Sequence, residues 1–202
     1  LQTDKDGNLI ILYAHNKDEQ YTFIESAKEK GYEVLLLDSP IIPHLMQKLE
    51  SKKEKIKFSR VDSDTLENLI KKDEEVISKL TDEEKEKLKP MIETAVENEK
   101  YTVQLEALDS NSMPFMLAQP EFMRRMKEMQ QTGGGAMGNL PEMYSLIVNT
   151  NHELVGKILN TRTEKKRNSL IKQSIDLAKL SQNNLTGKDL TEFINRSIDL
   201  IK

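Results

Sequence analysis

The stretch Gly133-Gly134-Gly135-Ala136-Met137-Gly138 has the spacing G-x-G-x-x-G, with which a strand-to-helix turn lays main-chain N–H groups on a pyrophosphate. That chemistry needs a strand before the glycines and a helix after them. Here a helical pattern precedes them and Asn139-Leu140-Pro141 follows, so a hinge is the better reading. Asp38 ends the apolar run Val34-Leu35-Leu36-Leu37, where open α/β sheets carry functional groups and where a receiver module keeps its phosphoacceptor. No acidic pair closes the first strand, which favours a turn role. A small phospho-receiver or enzyme-like module centred on Asp38 stays as the alternative. His15, His44 and His152 are scattered, without companions at metal-ligand spacing, and read as caps or surface residues. With no cysteine in the chain, disulfides, thiolate metal sites and thiol nucleophiles are excluded. No catalytic, cofactor-binding or metal-ligating set is expected.

A different chemistry, contact with apolar surface, is concentrated in one segment. Seven of the nine methionines lie in 113–143, where thioethers suit an adaptable binding surface. In Phe122-Met123-Arg124-Arg125-Met126-Lys127-Glu128-Met129 the methionines recur every three residues while the charges fall on other sides. Met137, Leu140 and Met143 extend the apolar character beyond the glycines. The plain alternative is a core-facing amphipathic helix.

These residues must be positioned by two kinds of structure. Leu9–Ala14 and Glu33–Leu37 read as strands covered on both faces, 56–61 as a wetter edge strand, and helices separate them. Asp18 is expected to cap the first helix, with Gly31 ending it in the left-handed region; Ser63 or Asp64 is expected to cap the third. The β-α-β-α-β-α order gives a small parallel three-stranded α/β/α module over 1–78. A charge run in 71–90 marks the boundary to a mixed α+β domain, 79–202. It opens with the capping box Thr81/Glu84 and a helix to about Asn98, kinked at Pro90. Strands at about 101–108, 113–118 and 143–149 follow, with helices at 120–130, 152–160, 168–183 and 187–201. In the last two, Ile171, Ile175 and Ala178 align, as do Leu190, Ile194, Ile198 and Ile201. A hairpin cannot bury two such stripes alone, so pairing with a second copy into a helical bundle is expected; packing on the preceding sheet is the alternative.

Composition supports a folded chain and narrows its partners. Of 202 residues, 32% are charged, but 30 basic against 34 acidic side chains leave only −4, which speaks against a nucleic-acid binder. No apolar run approaches a membrane span, no signal pattern opens the chain, and a cytoplasmic protein fits best. The first residue is Leu1, not Met, so a fragment is expected.

Leu12-Tyr13-Ala14 with Tyr32-Glu33-Val34-Leu35-Leu36-Leu37-Asp38 resembles the small α/β/α part that ends the middle domain of the ninety-kilodalton heat-shock chaperones. Phe122 to Met129, Ile175-Asp176-Leu177-Ala178 and Phe193-Ile194-Asn195-Arg196-Ser197-Ile198 resemble the carboxy-terminal dimerisation domain of the bacterial HtpG type. The resemblance implies a homodimeric, ATP-driven chaperone that binds non-native client proteins and co-chaperones. Its ATP and magnesium site would lie in an amino-terminal domain outside this stretch, so no enzymatic step is expected here. By similarity, Phe122, Met123, Met126, Met129, Met137, Leu140 and Met143 would contact clients; the two aligned stripes of the terminal helices would form the dimer. Some relatives of this kind carry a long charged insertion where this chain has only Thr161 to Asn168; either the connection is short here or a part of it has been removed.

Overall fold

The computed structural model describes residues 2–73, 76–96, 100–126 and 143–201, and the chain separates into two compact units. The first runs to about residue 75 and takes in Ala118 and the helix after it; the second is built from 76–117 and the chain from Met143 onward. The helix that begins the Phe122–Met129 run therefore groups with the first unit, although chain order alone attaches it to the second.

In the first unit β1 (Leu9–Ala14) is the centre of a three-stranded parallel sheet of order β2-β1-β3, flanked by β2 (Val34–Leu36) and β3 (Ile56–Arg60). Helices α1 (Tyr21–Glu29), α2 (Ile42–Lys52) and α3 (Leu66–Leu69) connect and follow the strands. Tyr13, Met46 and Phe58 form a core cluster, with Ile11, Leu37, Ile42, Leu49 and Ile56 packed against it. Gly31 ends α1 as its sequence implies. Its φ is +75°, Gly31 N donates to Lys28 O, and Tyr32 N donates to Ala27 O, the paired bonds of a Schellman cap.

Three local expectations are corrected. Asp18 does not cap α1: its N-cap is Gln20, without a side-chain bond, because Asn16 Oδ1 instead accepts the amides of Asp18 and Glu19. Helix α3 is capped by Thr65, not Ser63 or Asp64, since Ser63 Oγ turns back to Arg60 O. Strand β2 is not covered on both faces. It lies at the sheet edge and leaves Leu35 and Leu36 exposed; three residues of one edge strand cannot be enclosed by the helices of so small a sheet.

In the second unit the Thr81/Glu84 capping box is present and opens α4 (Asp82–Glu93). The helix stops short of Asn98, with Thr94 as its C-cap. A three-stranded sheet of order β4-β6-β5 follows, from β4 (Tyr101–Glu106), β5 (Phe115–Ala118) and β6 (Tyr144–Asn149). Strands β4 and β6 run parallel in the register Tyr101↔Tyr144 to Glu106↔Asn149. The helix over described residues 121–126 is α5; then come α6 (Glu153–Asn160), α7 (Glu164–Ser181) and α8 (Gly187–Ile201). Thr161–Thr163 link α6 to α7. Apolar residues of α4, α6 and α7 close over this sheet in one core, among them Leu88, Ile92, Val103, Phe115, Leu146, Val155 and Ile158.

Three consecutive polar residues, from the last of β6 onward, hold this unit together. Asn149 is fully buried; its Oδ1 accepts from Leu108 N (3.2 Å) and Asn151 N (3.0 Å), and its Nδ2 donates to Asp109 O (2.8 Å). Asn151 Oδ1 accepts from Lys79 N at 2.6 Å, and its Nδ2 donates to Ile77 O and Leu108 O. Thr150 Oγ1 donates to Glu106 O and accepts from Ser78 Oγ. Buried amides so fully bonded fix the chain entering α4 to the ends of the strands.

Candidate functional site

The described start of the Met-rich segment is helical, as its spacing predicts, but it docks by its charged side. Phe122 is 70% exposed, whereas Arg124 is 3% exposed; Met123 and Met126 are half-buried. Of the residues expected to contact clients, Met143 is also exposed. Met129, Met137, Leu140 and the glycine run lie outside the described residues.

The docking site is the outer edge of β3. Among the described residues that strand pairs only with β1. Lys55 O and Val61 N bond to Leu9 N and Tyr13 O of β1, so by the alternation of a strand Phe58 and Arg60 turn their main-chain groups outward. Side chains receive them. Phe58 N donates to Glu50 Oε1 at 2.7 Å, Phe58 O accepts from Arg125 Nη2 at 2.7 Å, and Arg60 N donates to Glu121 Oε2 at 3.3 Å. A carboxylate from α2 and a carboxylate and guanidinium from α5 thus stand where a fourth strand would.

The charges are also paired among themselves. Glu121 Oε1 accepts from the Tyr13 hydroxyl at 2.8 Å, from Arg124 Nη2 at 2.6 Å and from Arg125 Nε at 2.8 Å. Arg125 forks onto Glu50 at 2.7 and 3.2 Å. Arg124 also bonds the Tyr13 hydroxyl and lies over its ring, 5.5 Å from the centroid. Burial alone would raise the Glu121 carboxyl, but Arg124, then Arg125 and the Tyr13 hydroxyl, hold it below the ordinary carboxylate range. Burial, then the Glu121 charge, pushes the Tyr13 phenol up. Burial works against the Arg125 charge, and Glu50 and Glu121 more than offset it. Each charge is compensated, as partly buried ions must be. In the sequence, Glu121 with Arg124 and Arg125 looks like ordinary i,i+3 and i,i+4 helix pairing; Glu50 carries no separate signal, and Tyr13 carries only its polar tip within an apolar run.

The two terminal stripes have different fates. Ile171, Ile175 and Ala178 are buried in the core of the second unit, against the sheet and α4, so for α7 the packing alternative describes the structure and these three are occupied within the chain. On α8, Ile194 and Ile198 are each 47% exposed and Ile201 is 86% exposed, with Leu190 half-buried beside them. Helix α8 meets α7 through Ser197, which accepts from Gln173 Nε2 at 2.9 Å, and through the Arg196–Asp176 ion pair, and its Phe193 is buried. Leu177 and Leu180 on α7 are exposed as well. The turn between the helices is set by Asn183 at φ +54°, with Asn184 N donating to Lys179 O at 2.8 Å.

Asp38 is exposed beyond β2, and among the described residues no three His, Cys, Asp or Glu side chains gather as a metal would require. His152 caps α6, its Nδ1 accepting from Leu154 N at 3.0 Å; His44 is exposed, and His15 Nδ1 bonds Leu37 O. No helix among the described residues is long and apolar enough to cross a membrane.

Comparison with known proteins places this geometry. The family model described as Hsp90 protein matches residues 9–199. The chain is 35% identical to the chaperone protein HtpG of Bacteroides thetaiotaomicron over 269 aligned positions, covering 99% of the chain and 40% of that protein. It is 40% identical to HtpG of Porphyromonas gingivalis over 185 positions, covering 89% of the chain and 27% of the relative. With HtpG of Wolinella succinogenes the identity is 28% over 95% of the chain. The chain therefore spans well under half the length of the curated relatives it matches.

Proposed function

Because the chain belongs to the Hsp90 family of heat-shock chaperones, we propose that this stretch supplies the self-association and the client contact of an HtpG-type chaperone. The observation that carries the reading is the split between the terminal stripes. Helix α7 spends Ile171, Ile175 and Ala178 on its own core, while α8 keeps Ile194, Ile198 and Ile201 exposed along one face, with the half-buried Leu190 in line with them. Four aliphatic residues at i, i+4, i+8 and i+11 form the kind of stripe that a second helix buries. A two-fold pairing of α7–α8 hairpins buries it symmetrically and joins Leu177 and Leu180 to the same apolar surface.

The client contact rests on α5. An amphipathic helix that docks by its charges and turns Phe122 outward offers apolar surface without giving up its place in the fold. Methionines beside it can adapt to irregular partners. Binding of this sort needs no covalent step, and we assign ATP and its magnesium ion to a part of the longer relatives outside this stretch.

Light scattering on the chain and on Ile194→Asp/Ile198→Asp tests the pairing: a mass near two chains is expected for the first and near one for the second. A monomer in the unsubstituted chain overturns it. Suppression of aggregation of a denatured client protein tests the contact. Phe122→Asp is expected to weaken it with the dimer intact, and undiminished suppression counts against the reading.

A further inference from the structure

We propose that Glu121 and Arg125 are positioning residues for the client-facing helix: with Glu50 and Tyr13 they clamp α5 onto the free edge of β3 and so fix Phe122 outward. The inference rests on the client reading above, but the geometry behind it does not. Nothing apolar on α5 approaches the burial of Arg124, which is 3% exposed. The helix is held by two carboxylates, two guanidiniums and a phenol, and Arg125 spans α2, α5 and β3 at once through Glu50, Glu121 and Phe58 O.

Charged contacts of this kind are directional, whereas an apolar seat would let the helix roll about its axis. Rotation by one residue, about 100° on an α-helix, would carry Phe122 inward and strip Glu121 from Arg60 N. The same bonds cap the sheet. Arg60 N has Glu121 as its acceptor at 3.3 Å, whereas Phe58 N bonds Glu50 of α2. Loosening α5 therefore uncovers the amide of Arg60 while sparing that of Phe58 and the β1–β3 ladder, in which Val61 N bonds Tyr13 O.

Residue-resolved amide hydrogen exchange on the chain, run beside the aggregation assay, tests this. In Glu121→Ala, exchange at Arg60 is expected to rise about tenfold or more, the scale of one charge-assisted hydrogen bond, with Val61 unchanged. Client suppression is expected to fall as in Phe122→Asp. Arg125→Ala should act alike, and Arg125→Lys, which keeps the charge but not the fork, should fall between it and the unsubstituted chain. An unchanged Arg60 amide overturns the proposal. So does an equal rise at Val61, which would make the cluster a general stabiliser of the unit, and so does intact suppression in Glu121→Ala where Phe122→Asp loses it. If Phe122→Asp also keeps suppression intact, the client reading falls, and the contrast between Arg60 and Val61 alone upholds or overturns the clamp.

Discussion

Arg125 Nη1 lies 2.7 Å from Glu50 Oε2, a pair separated by 75 residues of sequence. Through it the helix at 121–126 is tied to the end of α2, and its other nitrogens reach Glu121 and the carbonyl of Phe58. Truncation at Arg125 leaves two carboxylates half-buried with fewer partners, a change worth roughly 3–5 kcal/mol for a fully buried pair and less at this partial exposure. Arg125→Ala is accordingly expected to lower the urea midpoint of the first unit, with a smaller loss at high salt than at low salt.

The acid limit of the first unit should follow Glu121. Its folded carboxyl sits below the ordinary value of 4.5, with Arg124, Arg125 and Tyr13 facing it and burial opposing them. The unfolded chain then takes up the proton more readily than the folded one. Stability from this group is complete above that ordinary value and is lost as pH falls beneath it toward the depressed folded value. Glu121→Gln should flatten the dependence in that acid window when unfolding is followed by fluorescence of Tyr13 and its neighbours.

Tyr13 sets a matching limit on the alkaline side. Its phenol is pushed above the ordinary 10.0 by burial and by Glu121, so the folded state holds the proton longer than the unfolded one. The contribution is complete below pH 10 and declines as pH rises above it. Tyr13→Phe should remove that decline. At neutral pH it should cost about 1–2 kcal/mol for the hydrogen bonds lost at Glu121 and Arg124, measured by urea unfolding.

In the second unit the decisive polar residue is Asn149. Asn149→Ala removes two accepted bonds and one donated bond at a fully buried site, and about 2–4 kcal/mol of destabilisation is expected. Asn149→Asp keeps the acceptor but sets a charge against Asp109 O, so it should not rescue. Thermal unfolding of the two variants decides this.

Ile171 and Ile198 occupy neighbouring helices in the terminal hairpin and should respond oppositely. Ile171→Ala opens a cavity in the core and should cost about 2–5 kcal/mol in the chain's own unfolding. Ile198→Asp, at a site 47% exposed, should change the urea midpoint at low concentration within about 0.5 kcal/mol yet shift the association equilibrium seen by light scattering.

Periodicity and caps made much of the fold legible. The three parallel strands of the first unit, Gly31 after α1 and the Thr81/Glu84 box are consequences of local rules, and local rules can be read from a line of residues. The sequence also marked α8's stripe. It could not distinguish α7's stripe from α8's, since both have the same spacing and differ only in whether a sheet lies beneath them. Leu35 and Leu36 misled for a similar reason: a run of aliphatics looks alike in a central strand and at an edge. The clamp was hidden because its members are 8, 61, 75 and 108 residues apart and each has an ordinary local explanation. Tyr13 was the nearest to a clue, as the residue with a polar tip in the run Leu9–Ala14, since a buried phenol must find a partner.

The capping of β3 has a consequence during synthesis. Glu121 follows Arg60 by 61 residues, so on a ribosome adding about 5–20 residues per second the strand is made about 3–12 s before the side chain that closes its edge. Through that interval Glu50, already translated, holds the amide of Phe58, while the amide of Arg60 waits for Glu121. The nascent module is then open to pairing with another chain at one amide, which gives its own later helix the role of an intramolecular escort.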